Sequence, residues 1–285
     1  IESNLEFKGS EFLAKLTEFN NEKIKKFSIE KTKQAFNMKS VLEKLSAGEM
    51  LVKSVTKKQR KRQPTAPFIT STLQQEAIRK LGFTAQWTMR IAQQLYEGID
   101  IGEGSVGLIT YMRTDSVNLA KEALTEIRTF ISSRYGKNSL PEEARVFKTK
   151  SKNAQEAHEA VRPTSVTRVP NDIKDSLTDE QFKLYELIWK RTMASQMRHA
   201  TIDSVAVDMS CGDGNLFRAN GSSIADPGFM QVYLEGVDDS ENKEDDEKML
   251  PQLNEGDKVK LKQIRSEQHF TEPPPRYSEA SLVKS

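Results

Sequence analysis

Apolar and polar positions change period twice along the chain, and the two changes predict its organisation. Near the start, Phe12, Ala14 and Leu16 alternate with Glu11, Leu13, Lys15 and Thr17, which predicts a strand. Asn20-Asn21 reads as a turn. Thr32–Gly48 reads as a helix carrying Val41, Leu42 and Leu45 with Gly48 as its stop, and Met50–Val55 as a further strand. From Phe68 to about Arg198 the spacing becomes helical. Thr72 and Gln75 fit a capping box ahead of Leu73, Ala77 and Leu81, with Gly82 closing the helix. Thr84–Glu97 repeats the scheme with Trp87, Ile91 and Leu95 on one face and Gly98 as the stop. Ser116 or Asn118 opens a helix through Ala120, Ala123, Leu124, Ile127 and Ile131 that ends at Gly136. Thr178 and Gln181 cap another running to about Met197. After about His199 the period returns to two: Val205, Val207 and Met209 alternate with Ala206 and Asp208, and Val259 and Leu261 with lysines. Gly212-Asp213-Gly214 is a hairpin signal. The prediction is an α+β multidomain chain, in which a mainly helical domain is inserted between the two halves of a β-rich antiparallel domain. The boundaries expected are 1–63 and 199–268 for the β halves, 64–198 for the helical domain, and 269–285 for the start of a further domain.

Composition narrows the class without choosing a function. With 36% hydrophobic and 29% charged residues, a core is affordable only with strongly charged faces. No window approaches the roughly 18 apolar residues of a membrane span. The single cysteine, Cys211, excludes an internal disulfide. With only three scattered histidines, His158, His199 and His269, a zinc site is not expected. The formal net charge is +2, so partner choice must rest on local charge. Lys53–Arg62 carries six basic residues and no acid. It reads either as a solvated linker or as a stripe that contacts phosphates without reading sequence. Asp238–Glu247 has seven acids and one lysine, as in a solvated loop, and Pro273–Pro275 reads as a stiff link. The chain begins at Ile1 and stops at Ser285 within an apparent helix start, and is read as a piece of a longer protein.

The stretch with most chemistry is Gly107–Ser116, Gly-Leu-Ile-Thr-Tyr-Met-Arg-Thr-Asp-Ser. Leu108 and Ile109 read as the buried end of an extended segment, and Thr114–Ser116 as a turn or the cap of the next helix. Tyr111 and Arg113 thus fall at an element boundary. Tyrosine is a poor nucleophile when neutral, since its phenol pKa is about 10. A nearby guanidinium favours the phenolate and stabilises a phosphate under attack. The other reading is a tyrosine that closes a core beside a solvated arginine. His158 and Arg162 are four apart and would share one face of a helix stopped by Pro163. By itself, His158 reads equally as an ordinary surface or core histidine, and His-Glu-x-x-Arg lacks the second histidine of a zinc-protease motif.

Gly107–Ser116 resembles the active-site segment of bacterial type IA DNA topoisomerases. Three further stretches, in the family's order, support the resemblance: Pro67–Gln75 (Pro-Phe-Ile-Thr-Ser-Thr-Leu-Gln-Gln), Ala154–Thr164 (Ala-Gln-Glu-Ala-His-Glu-Ala-Val-Arg-Pro-Thr) and His269–Lys284. The resemblance is closest from about Thr65 onward. It implies ATP-independent cleavage of one DNA strand through a 5′-phosphotyrosine, strand passage and religation, relaxing negatively supercoiled DNA. Tyr111 matches the nucleophile and Arg113 the transition-state stabiliser. His158 and Arg162 match a phosphate-binding pair, Thr114 and Asp115 further DNA contacts, and Arg276 the start of the next DNA-contacting domain. The family's Mg²⁺ is held by a Toprim domain that this stretch does not contain, so its ligands are expected elsewhere and no metal ligand is assigned here. The implied setting is a monomer acting on single-stranded and negatively supercoiled DNA, away from membranes, in the bacterial cytoplasm at the nucleoid, or alternatively in an organelle of bacterial ancestry. The rival reading is a non-catalytic nucleic-acid-binding module with Lys53–Arg62 as its footprint. A tyrosine recombinase would need more arginines and histidines around the tyrosine than this chain supplies.

Overall fold

A computed structural model describes residues 1–102, 104–148, 158–236, 250–271, 273 and 276–284. The whole acidic run at 238–247, two of the prolines expected as a stiff link (274–275) and positions 154–157 of the histidine motif lie outside the described residues. In chain order the elements are β1 (Glu2–Phe7), β2 (Ser10–Phe19), β3 (Glu22–Lys23), α1 (Thr32–Ser46), β4 (Glu49–Arg62), α2 (Thr70–Leu81), α3 (Ala85–Glu97), β5 (Ile99–Asp100), β6 (Ser105–Val106), α4 (Lys121–Tyr135), α5 (Asp179–Ser195), β7 (Ala200–Ser210), β8 (Leu216–Asp226), β9 (Lys258–Arg265) and α6 (Glu279–Lys284), with short 3₁₀ turns at Lys137–Ser139, Pro170–Ser176 and Gly228–Gln231. The chain folds as two compact units. One comprises Ile1–Arg60, Ile202–Ala225 and the described part of Asn242–Pro274, and the other Lys61–Thr201, Asp226–Glu241 and Pro275–Ser285 over their described residues. The fold is α+β, with the helical stretch inserted between strands of one sheet.

The first unit is built on a sheet in the order β1-β9-β4-β7-β8-β2-β3. Because β1 also pairs with β2, the ladder closes on itself, which leaves no long open edge. The hairpins that start it are forced by local chemistry. Lys8 and Gly9 (φ 49° and 84°) form a two-residue turn between Phe7 and Ser10, and Asn20 and Asn21 (φ 50° and 65°) another between Phe19 and Glu22; both positions of such turns need positive φ. The predicted alternation places Phe12, Ala14 and Leu16 in the core with Leu5, Val207 and Phe217. Helix α1 turns Met38 and Leu42 into that core and leaves Val41 and Leu45 exposed, so of the expected stripe only Leu42 faces inward. Cys211 is buried, its thiol donating to the Leu42 carbonyl at 3.2 Å. Burial pushes that thiol up to about 11, so it stays protonated and unreactive. The basic run is no linker. It is the second half of β4, a 14-residue strand that lies beside β7.

The second unit packs α2, α3, α4 and α5 around Phe68, Leu73, Ile91, Leu95, Ile127, Tyr185 and Ile188. Helix α5 has the expected reciprocal cap, with Gln181 N–H donating to Thr178 Oγ1 (3.3 Å) and Thr178 N–H to Gln181 Oε1 (3.0 Å). In α2 the register differs: Thr72 is the third helical residue and its hydroxyl accepts the Ile69 N–H at 3.0 Å. Trp87 is half-exposed beneath the Arg90 guanidinium, and Thr88 takes its expected place in the core. Helix α4 starts at Lys121, so Ser116–Ala120 is extended chain.

Residues 226–236, expected with the second β half, belong to the helical unit. A buried polar belt holds them there. Glu76 accepts from the Tyr233 hydroxyl and from Gly236 N–H (3.0 Å), while Arg191 donates to the Ala66 carbonyl (2.6 Å) and Glu235 (2.9 Å) and lies over the Phe68 and Tyr233 rings. Burial, with Glu76 adding to it, drives the Tyr233 phenol well above the usual tyrosine range, so the ring remains a neutral donor. At Gly228 (φ 46°) a Cβ would stand 2.2 Å from the His199 carbonyl oxygen. We expect Gly228→Ala to lower stability by about 2–4 kcal/mol through overpacking and backbone strain, read as a lower urea midpoint at unchanged m-value. An unmoved midpoint would show that this return segment is not held as described.

Candidate active site

The Gly107–Ser116 segment follows β6 as extended chain, and its main-chain groups are taken up by three neighbours. At its start a Cβ on Gly107 would lie 2.7 Å from the Tyr96 carbonyl oxygen, so only glycine permits the approach to the end of α3. There Leu108 N–H donates to the Leu95 carbonyl (2.7 Å). The middle pairs with residues 160–164. Thr164 N–H donates to the Leu108 carbonyl (2.9 Å) and Thr110 N–H to the Arg162 carbonyl (2.9 Å), while the Thr110 hydroxyl donates to the Ala160 carbonyl (2.7 Å) and accepts the Arg162 N–H (3.0 Å). The far end crosses the start of α2. Thr70 N–H donates to the Thr114 carbonyl (2.9 Å). The Thr70 hydroxyl accepts the Thr114 N–H (2.8 Å) and lies 2.8 and 3.0 Å from the Met112 and Thr114 carbonyls.

Extended backbone alternates its side chains, and the clamp decides which set faces inward. Leu108, Ile109, Met112, Thr114 and Ser116 are buried, whereas Tyr111, Arg113 and Asp115 are exposed. Tyr111 and Arg113 therefore leave the same side of one rigid segment. The Tyr111 ring is 48% exposed and stands edge-on to Tyr96 with centroids 5.3 Å apart, an arrangement that fixes the ring and leaves its oxygen open. Among the described residues no hydrogen bond engages the Tyr111 hydroxyl, and Arg113 and Asp115 have no ion-pair partner. Thr114, expected to face outward, is turned in, with its hydroxyl accepting the Ser116 N–H at 3.0 Å; it serves the clamp. The helix cap expected at Thr114–Ser116 is absent: Thr114 pairs with Thr70 at the start of α2, and the next helix begins only at Lys121.

The helix expected at His158–Arg162 does not form. The described chain there is extended, with single bridges from Val161 to Phe68 and from Pro163 to Ile109. Pro163 disfavours helical backbone at Arg162, and the Thr110 pairing takes the groups a helix would use. The Arg162 guanidinium makes a two-point contact with Glu159 (3.2 and 2.8 Å) and donates to the Pro163 carbonyl (2.8 Å), and its side chain is only 13% exposed. Glu159 also accepts the Ala120 N–H (2.6 Å) ahead of α4. Arg162 is thus brought to the tyrosine segment through its backbone, with its charge already paired. His158 is exposed. Arg276 is exposed just before α6, whose Glu279 accepts the Ala85 N–H at 2.7 Å. Sequence reasoning missed Thr70 and Tyr96. Thr70 was hidden inside a stretch read only as a helix start, and Tyr96 among helix residues with no assigned partner. Among the described residues no three or more His, Cys, Asp or Glu side chains group so as to hold a metal ion, and no helix is long and apolar enough to cross a membrane.

The comparisons with known proteins converge on this segment's family. The family model described as DNA topoisomerase matches residues 2–285. The chain is 55% identical over 274 residues to DNA topoisomerase 1 of Rickettsia bellii (strain RML369-C), covering 96% of this chain and 34% of that protein. It is 52% identical over 276 residues to DNA topoisomerase 1 of Xylella fastidiosa (strain Temecula1 / ATCC 700964), with the same coverage of 96% and 34%. The solved structure of full-length topoisomerase I from Thermotoga maritima superposes with a TM-score of 0.77 at 33% identity, over 99% of this chain and 42% of that one. The chain therefore spans about a third of the length of the curated relatives it matches. A fold and sequence shared along nearly its whole length show that the chain belongs to the type IA, bacterial topoisomerase I family of DNA topoisomerases.

Proposed function

We propose that this chain carries the strand-cleaving tyrosine of an ATP-independent DNA topoisomerase. The Tyr111 oxygen attacks a backbone phosphorus of one DNA strand. The new oxygen–phosphorus bond is a 5′-phosphotyrosine, the bond to the 3′ oxygen breaks, and the phenolic proton lost on one side is matched by a proton gained at the 3′ hydroxyl. Religation is the reverse, so the ester conserves the bond energy and no ATP is consumed. The observation that carries this reading is the pairing of an open Tyr111 with Arg113 on one side of a hydrogen-bonded segment. Arg113 meets the charge that grows on the non-bridging oxygens. His158 supplies an exposed donor to a neighbouring phosphate, and Asp115 and Arg276 are further candidate DNA contacts. Arg162 orders Glu159 and the start of α4, and reaches phosphate only by exchanging that partner. The substrate is single-stranded or negatively supercoiled DNA, handled by a monomer at the bacterial nucleoid. Mg²⁺, where the enzyme uses it, needs ligands beyond the described residues, and no step here runs through it.

The tests use a chain extended to the length of the curated relatives. Tyr111→Phe keeps the ring against Tyr96 and removes only the attacking oxygen, so plasmid relaxation should vanish while fold and non-covalent DNA binding persist. Retained relaxation would leave the non-catalytic binding module as the better reading. Arg113→Lys keeps a charge and loses the planar fork, so relaxation should fall about 10- to 100-fold. Thr70→Val removes the hydroxyl that holds Met112 and Thr114. It should cost about 1–3 kcal/mol, speed amide exchange at Thr114, and lower the cleavage rate at saturating DNA; unchanged exchange would show that the clamp is held by other contacts. His158→Ala should weaken DNA binding without lowering the melting temperature. Arg162→Ala should lower both, because it strands Glu159.

A further inference from the structure

A second cationic site lies in the helical unit, on residues that the tyrosine segment does not use. Strand β4 ends on Lys61 and Arg62, both exposed, and runs beside the start of β7. The next residue, Gln63, accepts from Arg145 Nη1 at 2.8 Å, and Arg145 Nε donates to the Met197 carbonyl at 2.9 Å. Arg145 is thus held by neutral acceptors on both sides and keeps its charge uncompensated among the described residues. Arg198 and His199 follow Met197 directly, and of these only Arg198 has a carboxylate partner, Asp226. Burial, then the charges of Lys61, Arg145 and Arg198, hold the His199 imidazole below its ordinary range, an independent sign that these cations surround one spot. Neither Lys61 nor Arg62 has an ion-pair partner among the described residues.

Lys61, Arg145 and Arg198 against one carboxylate is an unfavourable arrangement unless a polyanion relieves it. A guanidinium fixed in place by neutral acceptors, beside the exposed Lys61, suits phosphate oxygens spaced along a chain. We propose that Lys61 and Arg145 form a binding site for the sugar-phosphate backbone of single-stranded DNA, separate from Tyr111, Arg113 and His158; Arg62, the next residue of the strand, faces the other side. Nothing in this grouping reads bases: it offers charge without an exposed aromatic ring to stack on a base. The site gives sequence-independent, salt-sensitive hold on a strand, and it does not depend on Tyr111 being the nucleophile.

The test measures binding of a fluorescent oligothymidylate to the 285-residue chain by anisotropy from 50 to 300 mM salt. Lys61→Gln should reduce the log–log salt slope by about 0.7, one contact for a single strand, and weaken binding at the lowest salt. Lys61→Arg should restore both. The control Lys44→Gln removes the same charge from an exposed position in the other unit and should leave the slope within about 0.3 of the parent. Equal losses in the two variants would overturn the proposal in favour of a net-charge effect, and so would a polyglutamate chain competing as well as the oligonucleotide at equal charge. Failure of this site is read in the salt slope, whereas failure of the nucleophile assignment is read in plasmid relaxation, so the two give different results.

Discussion

The helical unit depends on one constraint, the hydrogen bonding of an extended segment that has no sheet to join. Ten residues of strand-like chain inside a helical domain would bury unpaired main-chain groups at a cost of about 1–3 kcal/mol each. The chain avoids that cost by giving each stretch of Gly107–Ser116 a partner: the last turn of α3, the run 160–164, and the first residue of α2. Once those partners are fixed, side-chain alternation has no freedom left. Met112 and Thr114 must go in, and Tyr111 and Arg113 must come out. The Tyr111 and Arg113 side chains are thereby presented by a hydrogen-bonded segment, with exposure limited to the side chains.

The supporting structure follows from the same requirement. Residues 160–164 can act as a partner only if they are themselves held, and the Arg162–Glu159 contact does this while also tying down the start of α4. Helix α2 can offer Thr70 only if its body is anchored, and the buried Glu76, joined to Tyr233 and Gly236, anchors it from the far side. A buried carboxylate of this kind would be destabilising without partners. Here Arg79 and Lys80 supply nearby positive charge as well.

Much of this was legible in the residues. The Thr178/Gln181 cap, the glycine stop at Gly82 and the alternation at Phe12–Leu16 are signals carried by a few adjacent residues, and the structure follows them. The fold class was legible from the change of period, and the family from four ordered stretches. What was missed depends on partners far away in sequence. Ser116–Ala120 has the composition of a helix start, but its backbone is engaged by residues 159–160, about 40 positions on. His158 and Arg162 have helical spacing, yet Pro163 and the Thr110 pairing override it. The charges of Lys53–Arg62 suggested solvated chain because local composition does not reveal that β7 lies alongside. Tyr111 and Arg113 were singled out by the resemblance of their segment together with their own chemistry, whereas Thr70, which holds that segment, was not, because a threonine at a helix start looks the same whether or not a segment crosses it.

The central claim is that the exposed oxygen of this clamped segment, and no other, bonds to DNA. The most direct measurement traps the cleavage complex with denaturant on single-stranded DNA labelled in turn at each end, digests the protein and identifies the linked residue by mass spectrometry. The account predicts a phosphodiester on Tyr111 that retains the DNA lying 3′ of the break. An adduct on any other tyrosine, or a linkage that retains the DNA on the 5′ side, would contradict it.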